Sequence, residues 1–395
     1  MKEEKASINY KLFYQFCFVL VFCFVSPISV YSQKIVNGKV LDDETDLPIA
    51  NVSVFINGST RGTMTNEKGE FLLHYLSINK YTVAFSSIGY ETQEVNVSVQ
   101  PDRPILITIR LKRRTISLSE VTISLQNNSW KRWGKIFLAT LIGTSSHAQN
   151  CNLLNKKAVR FNYDKDNNKL YAYNTEPLVI QNDGLGYIIH YNIEDFSIDF
   201  NNEYIFYQGF VRFIEMEGSS IKRKRWETAR HLTYQYSMAR FVRTLYKGQA
   251  IDDLYEVRSI EKRLNTEKIR VINLLRQSNT HKKDSIKYYQ QVIKQEDSIK
   301  VLSAPLHPKN FISAINDGKR GIIGINILYV SLISVKNKIL NRLATSKLTI
   351  LPDRHIYIEQ TGVVTASQDF VIGGYWSGFE RIGDALPIDY ILQQK

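Results

Sequence analysis

Cysteine is scarce in this chain: three in 395 residues, two of which, Cys17 and Cys23, lie inside an N-terminal apolar run. If that run is removed as a leader, Cys151 is alone, no internal disulfide can form, and the fold is held by its apolar core. The sequence also lacks the motifs of common chemistry. None of the seven histidines has Glu three residues on, so the paired ligands of a zinc hydrolase are missing. His190 and Glu194, like His355 and Glu359, are four apart in strand-like surroundings, where that spacing spans more than about ten Å. No Gly-x-Ser-x-Gly elbow occurs, Ser377 being displaced by one from the second glycine of its own stretch, and no glycine-rich phosphate loop is present. Asp164, Asp166 and Asn168 suggest a calcium loop, but the central glycine is absent and Thr175 stands where the bidentate Glu belongs, so a hairpin tip is the better reading. No cofactor or metal is expected.

Long hydrophobic runs are missing too. Leu12 to Val25 falls short of the roughly 20 residues that a spanning helix needs, and Ile322 to Val335 is interrupted by Asn326, Ser331 and Ser334. Lys2, Lys5 and Lys11 precede the first run and Val30-Tyr31-Ser32 follows it. That is the three-part plan of a signal peptide, over residues 1–32. Phe22 before Cys23 excludes a lipobox. An uncleaved anchor is the alternative, and after cleavage no transmembrane span remains. Export places the chain in the periplasm, at the outer membrane or on the cell surface. Its formal charge of +13 then points to acidic glycans, wall polymers or phosphorylated lipids rather than nucleic acid, or to a solvated basic surface with no partner.

What is present is period-two alternation. Val52, Val54 and Ile56 face one way while Ser53, Phe55 and Asn57 face the other. Phe71, Leu73 and Tyr75 repeat the pattern, as do Tyr81, Val83 and Phe85, then Val95, Val97 and Val99, and finally Ile105, Ile107, Ile109 and Leu111. Short alternating runs broken by turn residues predict a two-layer β-sandwich. Thr65 to Phe71 is a hairpin signal, with Asn66 to accept turn hydrogen bonds and Gly69 to take a positive φ.

Asn37-Gly38-Lys39-Val40, Leu47-Pro48-Ile49-Ala50-Asn51-Val52, Gly62-Thr63-Met64-Thr65-Asn66 to Phe71, and Ser86-Ser87-Ile88-Gly89-Tyr90 follow one another in that order. Together they resemble the carboxypeptidase-like regulatory domain, a transthyretin-like sandwich, over about a quarter of the chain. The family usually has Asp where Asn66 stands; Asn serves the turn but brings no charge for a cation.

After this sandwich, an extended segment over Ile116 to Ser124 and a polar turn over Gln126 to Ser129 predict a domain boundary. A helix follows from Trp130 to Leu141. Strands are predicted over Ala158 to Tyr163, Leu170 to Asn174, Gly186 to Tyr191, Phe196 to Phe200 and Tyr204 to Glu215. Lys222-Arg223-Lys224-Arg225-Trp226 opens a helix that runs to about Tyr246. Four cations beside an aromatic can grip phosphate or carboxylate groups while the Trp packs on a sugar or lipid face; the alternative is the solvated lip of a helix. Residues 252–301 read as two amphipathic helices forming a hairpin, Val257, Ile260, Leu264, Val271 and Leu274 making one stripe and Ile286, Tyr289, Val292 and Ile293 the next. Strands return at Ile322 to Val335, Lys347 to Leu351, Ile356 to Gln360 and Phe370 to Gly374, and the tail from Gly374 is expected to pin its aromatics into the body. Leu141 to Cys151, Pro177 to Tyr187, Arg225-Trp226 to Arg230 and Tyr234, and Gly374-Tyr375-Trp376 are similar to a group of exported proteins of the Bacteroidetes kind. These pair the regulatory-type sandwich with a second domain, which implies an envelope role and no particular reaction.

The expected architecture is therefore multidomain: a signal peptide (1–32), an all-β transthyretin-like sandwich (33–125) and an α+β domain (126–395) with a helical hairpin insertion. The function expected is a non-catalytic interaction or scaffold module of the envelope, with Lys222, Arg223, Lys224, Arg225 and Trp226 as its interaction surface and an envelope protein or an acidic glycan or lipid surface as partner. The rival is an exported hydrolase assembled from Cys151, His147, His190 and Asp195 or Asp199. A TonB-dependent receptor is excluded, because some 270 residues after the sandwich cannot supply both plug and barrel, and the chain ends Gln393-Gln394-Lys395 rather than in the aromatic residue of an outer-membrane barrel.

Overall fold

The computed structural model describes residues 35–74, 80–98, 105–114, 126–248, 255–277, 283–314, 320–322, 327–332, 344–351, 354, 356–365 and 369–390. The expected leader and the extended segment at 116–124 lie outside them.

The alternating runs form seven strands, β1 (Ile35–Asp42), β2 (Ser53–Ile56), β3 (Gly62–Met64), β4 (Glu70–His74), β5 (Lys80–Ser86), β6 (Gln93–Ser98) and β7 (Ile105–Leu111). They make two sheets, β4-β1-β7 and β3-β2-β5-β6, with β1 and β7 parallel. Val40, Val52, Val54, Ile56, Leu73, Val83 and Phe85 fill the space between. The predicted turn is present, Asn66 Oδ1 accepting from the N–H groups of Lys68 and Glu70 and Gly69 at φ +71°, but it makes no hairpin: it carries the chain from β3 in one sheet to β4 in the other. One other expectation changes. Phe55, on the outer face of β2, is buried with Ala84 against Phe210, because the body covers that face as well.

The body begins with α1 (Gln126–Leu141), so the polar Gln126 to Ser129 belongs to the first turn of a helix rather than to a loop. A six-stranded sheet follows: β8 (Cys151–Leu153), β9 (Val159–Asp164), β10 (Lys169–Asn174), β11 (Leu178–Asn182), β12 (Tyr187–Asp199) and β13 (Tyr204–Glu215). The two strands expected within 186–200 are one, because an irregularity in register between Ile193 and Asp195 absorbs the polar interruption without ending the ladder. α1 lies on this sheet through Phe137, which meets Phe161 and Phe196 at ring-centroid distances of 5.4 and 5.1 Å.

Next come α2 (Ser220–Gln235) and α3 (Met238–Lys247), where a single helix was expected. The break lies at Tyr236-Ser237, and the Ser237 hydroxyl caps the new helix by accepting from Arg240 N. A second core then forms around Phe241, Leu245, Val257, Phe311, Ile358 and Trp376. Its strands are β14 (Tyr255–Leu264), β15 (Ser298–Leu302), β16 (Ile312–Ala314), β17 (Arg320–Ile322), β18 (Ile327–Leu332), β19 (Ala344–Ile350), β20 (Ile356–Ile358), β21 (Val364–Thr365) and β22 (Phe370–Gly374), arranged as sheets β15-β14-β18-β19-β22 and β16-β17-β20-β21.

The helical hairpin is α4 (Thr266–Gln277) and α5 (Lys283–Ile293), inserted between β14 and β15. Val257, Ile260 and Leu264 belong to the strand and not to the helix. Their three-and-four spacing imitates a helical stripe, but Tyr255 and Val257 are buried and alternate with less buried Glu256 and Arg258. Asn265 closes the base of the hairpin. Its side chain accepts from Lys268 N at 3.1 Å and donates to Gln295 Oε1 at 3.0 Å. The chain then runs through α6 (Tyr375–Phe379) into a tail that ends the described residues at Tyr390.

Candidate functional site

α2 starts at Ser219, whose hydroxyl accepts from Lys222 N at 3.4 Å. What fixes its rotation is a pair of side chains four residues apart on one face. Trp226, 4% exposed, donates from Nε1 to Asp183 O at 2.9 Å. Arg230 donates from Nε to Leu185 O at 2.7 Å, from an Nη to Gly186 O at 3.0 Å, and pairs with Glu215 at 3.1 Å, its guanidinium 3.9 Å from the centroid of the Tyr187 ring. Gly186, at φ +71°, is required here: a Cβ would stand 2.3 Å from the Trp226 ring.

This clamp corrects the expected surface in one respect. Trp226 is a core residue and offers no face to a sugar or a lipid. Lys222, Arg223, Lys224 and Arg225 remain exposed, with Ile221 82% exposed beside them. All four cations lie in the first two turns of α2, where the helix dipole disfavours positive charge, and the first turn holds no acid to offset them. Cations placed against the dipole are not there to stabilise the helix.

The hydrolase candidates do not assemble. Cys151 and His147 are close, but the thiol donates to the backbone carbonyl of His147 at 3.4 Å rather than to its ring. Burial, with Asp384 and Asp183 nearby, pushes the thiol up to about 12. Burial lowers His147 as well. His190 lies on β12 opposite Arg212, and burial followed by the Arg212 charge lowers its pKa. Asp199 is nine residues further along the same strand, about 30 Å away. It closes a turn with Asn202 and Lys169, which hold its carboxyl down at about 2. Asp195 sits at the irregularity in between. Among the described residues no cluster of three or more His, Cys, Asp or Glu could hold a metal ion.

Two acids whose carboxyls burial raises were not singled out in the sequence. They lie in the tail after Trp376. Glu380 accepts Met238 N at 2.6 Å, and burial raises its carboxyl to about 7. Asp384 accepts the Ser145 hydroxyl at 2.8 Å on one oxygen, has no partner on the other, and is raised by burial to about 6. The tail that carries them touches the three large cores: Trp376 belongs to the second body core, Ile382 to the first, and Ile388 packs on the sandwich. Tail acids are invisible to a motif search, since only the fold buries them.

The sandwich and body are joined by main chain. Gly58 N donates to Val211 O at 2.8 Å, Phe213 N to Ser59 O at 2.9 Å, and Ile388 N to Gly58 O at 2.7 Å. Asp389 accepts from Thr60 N at 3.0 Å, and Asn57 Oδ1 accepts from Val211 N at 2.8 Å.

Fold and turn chemistry thus define a multidomain protein, a strand-rich sandwich followed by an α+β region. The sandwich is a carboxypeptidase-like regulatory domain: the model of the CarboxypepD_reg-like domain matches residues 36–123. Among solved structures, two interface mutants of the type II cohesin–X-dockerin complex of Acetivibrio cellulolyticus are similar at 29% and 30% identity, each covering 19% of this chain and 52% of that one, with a TM-score of 0.17. The matched part spans about half the length of those chains. A Bacteroides fragilis protein described as membrane-associated and of unknown function is matched at 7% identity over 86% of this chain and 97% of that one, with a TM-score of 0.16. No curated protein matches. Among the described residues, no helix is long and apolar enough to cross a membrane.

Proposed function

We propose that this is an exported, non-catalytic interaction protein of the cell envelope, in which the sandwich is the docking module and the basic end of α2 meets an acidic glycan or lipid surface. The observation that carries the reading is the joint exposure of Lys222, Arg223, Lys224 and Arg225 in the first two turns of α2. Trp226 and Arg230 turn one face of the helix to the body; Ile221, Lys224 and Arg225 lie on the far face, and Lys222 and Arg223 stand one turn before the anchors on the near side, yet all five are exposed. Such a cluster, concentrated at one end of one helix in a chain of charge +13, attracts polyanions and lets a single apolar side chain enter a headgroup layer. The hydrolase alternative is weakened by the Cys151 thiol, which is bonded to a carbonyl and raised to about 12.

The test is co-sedimentation of the leader-free chain with phosphatidylglycerol vesicles, phosphatidylcholine vesicles and an insoluble acidic polysaccharide, at low and high salt. Binding to an anionic material only, weakened by salt and by Lys222→Glu, Arg223→Glu, Lys224→Glu and Arg225→Glu together, is the expected result. Equal binding by the charge-reversed chain would refute it.

A further inference from the structure

The outer face of the body's six-stranded sheet is only half used by the sandwich. Where it is used, Phe210 of β13 packs under Phe55 and Ala84, and Asn192, paired with Phe210 in the ladder, donates to the Ser86 hydroxyl at 2.9 Å. Four residues back along β13 on the same side stands Phe206, and the face continues from there across four strands. In register lie Phe206, Ser197, Tyr171 and Asn162. Two residues on along β10, Tyr173 is paired with Arg160.

β10 alternates strictly. Leu170 and Ala172 point into the core at 0% and 5% exposure, while Tyr171 and Tyr173 stand outward at 38% and 44%. The two residues are therefore about 7 Å apart along one side of a strand. Around them are an amide, a hydroxyl and a guanidinium rather than aliphatic side chains. Lys169, which closes the far end, is neutralised by Asp199 at 3.2 Å. Asp164, the ladder partner of Lys169, and Asp195 on β12 stand on the same side and offset the Arg160 charge, so the face carries little net charge.

We propose that this face, continuous with the sandwich contact and centred on Tyr171 and Tyr173, binds a neutral glycan chain. A pyranose ring has an apolar C–H face and a rim of hydroxyls. Tyr rings standing free on a rigid sheet take the first, and Asn162, Ser197 and Arg160 supply donors and acceptors for the second. The polar groups set between the rings favour this occupant over a protein partner, whose contact would call for a continuous apolar centre. The near-neutral charge separates it from the acidic surface proposed for α2. The two sites are independent, so either can fail without the other.

The experiment is affinity electrophoresis of the leader-free chain in native gels containing laminarin, soluble starch, xylan or galactomannan, followed by titration calorimetry with any polymer that retards it. Retardation by at least one polymer is expected. Tyr171→Ala with Tyr173→Ala should weaken it about tenfold or more, whereas Tyr171→Phe with Tyr173→Phe should retain most of it, the rings being kept. The charge-reversed α2 variant should be retarded as the wild type is. Circular dichroism checks that the variants fold, which their exposure favours. No retardation by any of the four polymers, or equal retardation of the alanine variant, overturns the proposal. So does a concentration-dependent dimer, seen by sedimentation, that the alanine variant loses, since the face would then be a contact between copies.

Discussion

Glu380 reaches across from the C-terminal tail to accept the main-chain N–H of Met238, the first residue of α3, at 2.6 Å. The contact ties the tail to the second core, and burial raises the carboxyl of this half-buried residue to about 7. The folded state therefore keeps a proton that the unfolded chain gives up near pH 4.5. The contribution to stability is fully present below that value and is lost as pH rises through about 7. Asp384, raised to about 6, acts in the same direction. Melting measured by calorimetry from pH 5 to pH 8 should show stability falling by on the order of 3 kcal/mol from Glu380. Glu380→Gln should flatten that slope and melt higher than the wild type at pH 8. An unchanged slope in the variant would show that the carboxyl is not the source.

The two halves of the Lys222 to Trp226 stretch should behave oppositely on substitution. Trp226→Ala empties a site in which the ring packs on Gly186 and Gly218 and bonds to Asp183. A loss of about 3–5 kcal/mol in urea unfolding is expected. Lys222→Ala or Lys224→Ala removes an exposed cation and should stay within about 0.5 kcal/mol. Comparable losses in both would mean that the cations carry structure rather than binding.

Cys151 should be close to inert in the native chain. Its thiol is half-buried, bonded to the His147 carbonyl and raised to about 12, so little thiolate exists at pH 8. Labelling by iodoacetamide at pH 8 should be slower than in urea by a factor of about a hundred or more, and Cys151→Ala should leave the fold intact. Rapid native labelling would reopen the nucleophile reading.

Much of this was legible in the sequence where one periodicity acted alone. Phe71, Leu73, Tyr81, Val83 and Phe85 fell on the predicted faces, and β13 matched its expected span, because alternation with burial on one face leaves no competing pattern. Two signals misled. Val257, Ile260 and Leu264 fit a helix by spacing and a strand by partner, and the partner, β18, lies far along the chain. Trp226 sits in a run of cations, and nothing local says that a turn at Asp183 to Gly186 will close over it. The tail acids were hidden for the same reason, burial being a property of the assembled cores.

The sandwich and body should unfold as one until their small shared core is removed. Phe55, Ala84 and Phe210 are buried together at 3%, 0% and 7% exposure, apart from the larger cores on either side. The rest of the join includes main-chain bonding at Gly58 and Ser59, Ile388 packed on the sandwich core, and side-chain contacts of Asp389, Asn57, Asn192, Arg212 and Arg114. The polar bonds exchange with water at small net gain, so the coupling rests on the aromatic contact and, beside it, on Ile388. Phe210→Ala leaves each large core whole, since its ring belongs to neither. Calorimetry of the wild type should therefore give a single transition for the sandwich and the six-stranded sheet, and the variant two, the sandwich melting by itself. A variant that still melts in one step would place the coupling in the tail, where Ile388 N bonds to Gly58 O at 2.7 Å. Asp389→Ala added to Phe210→Ala would then be needed to divide it.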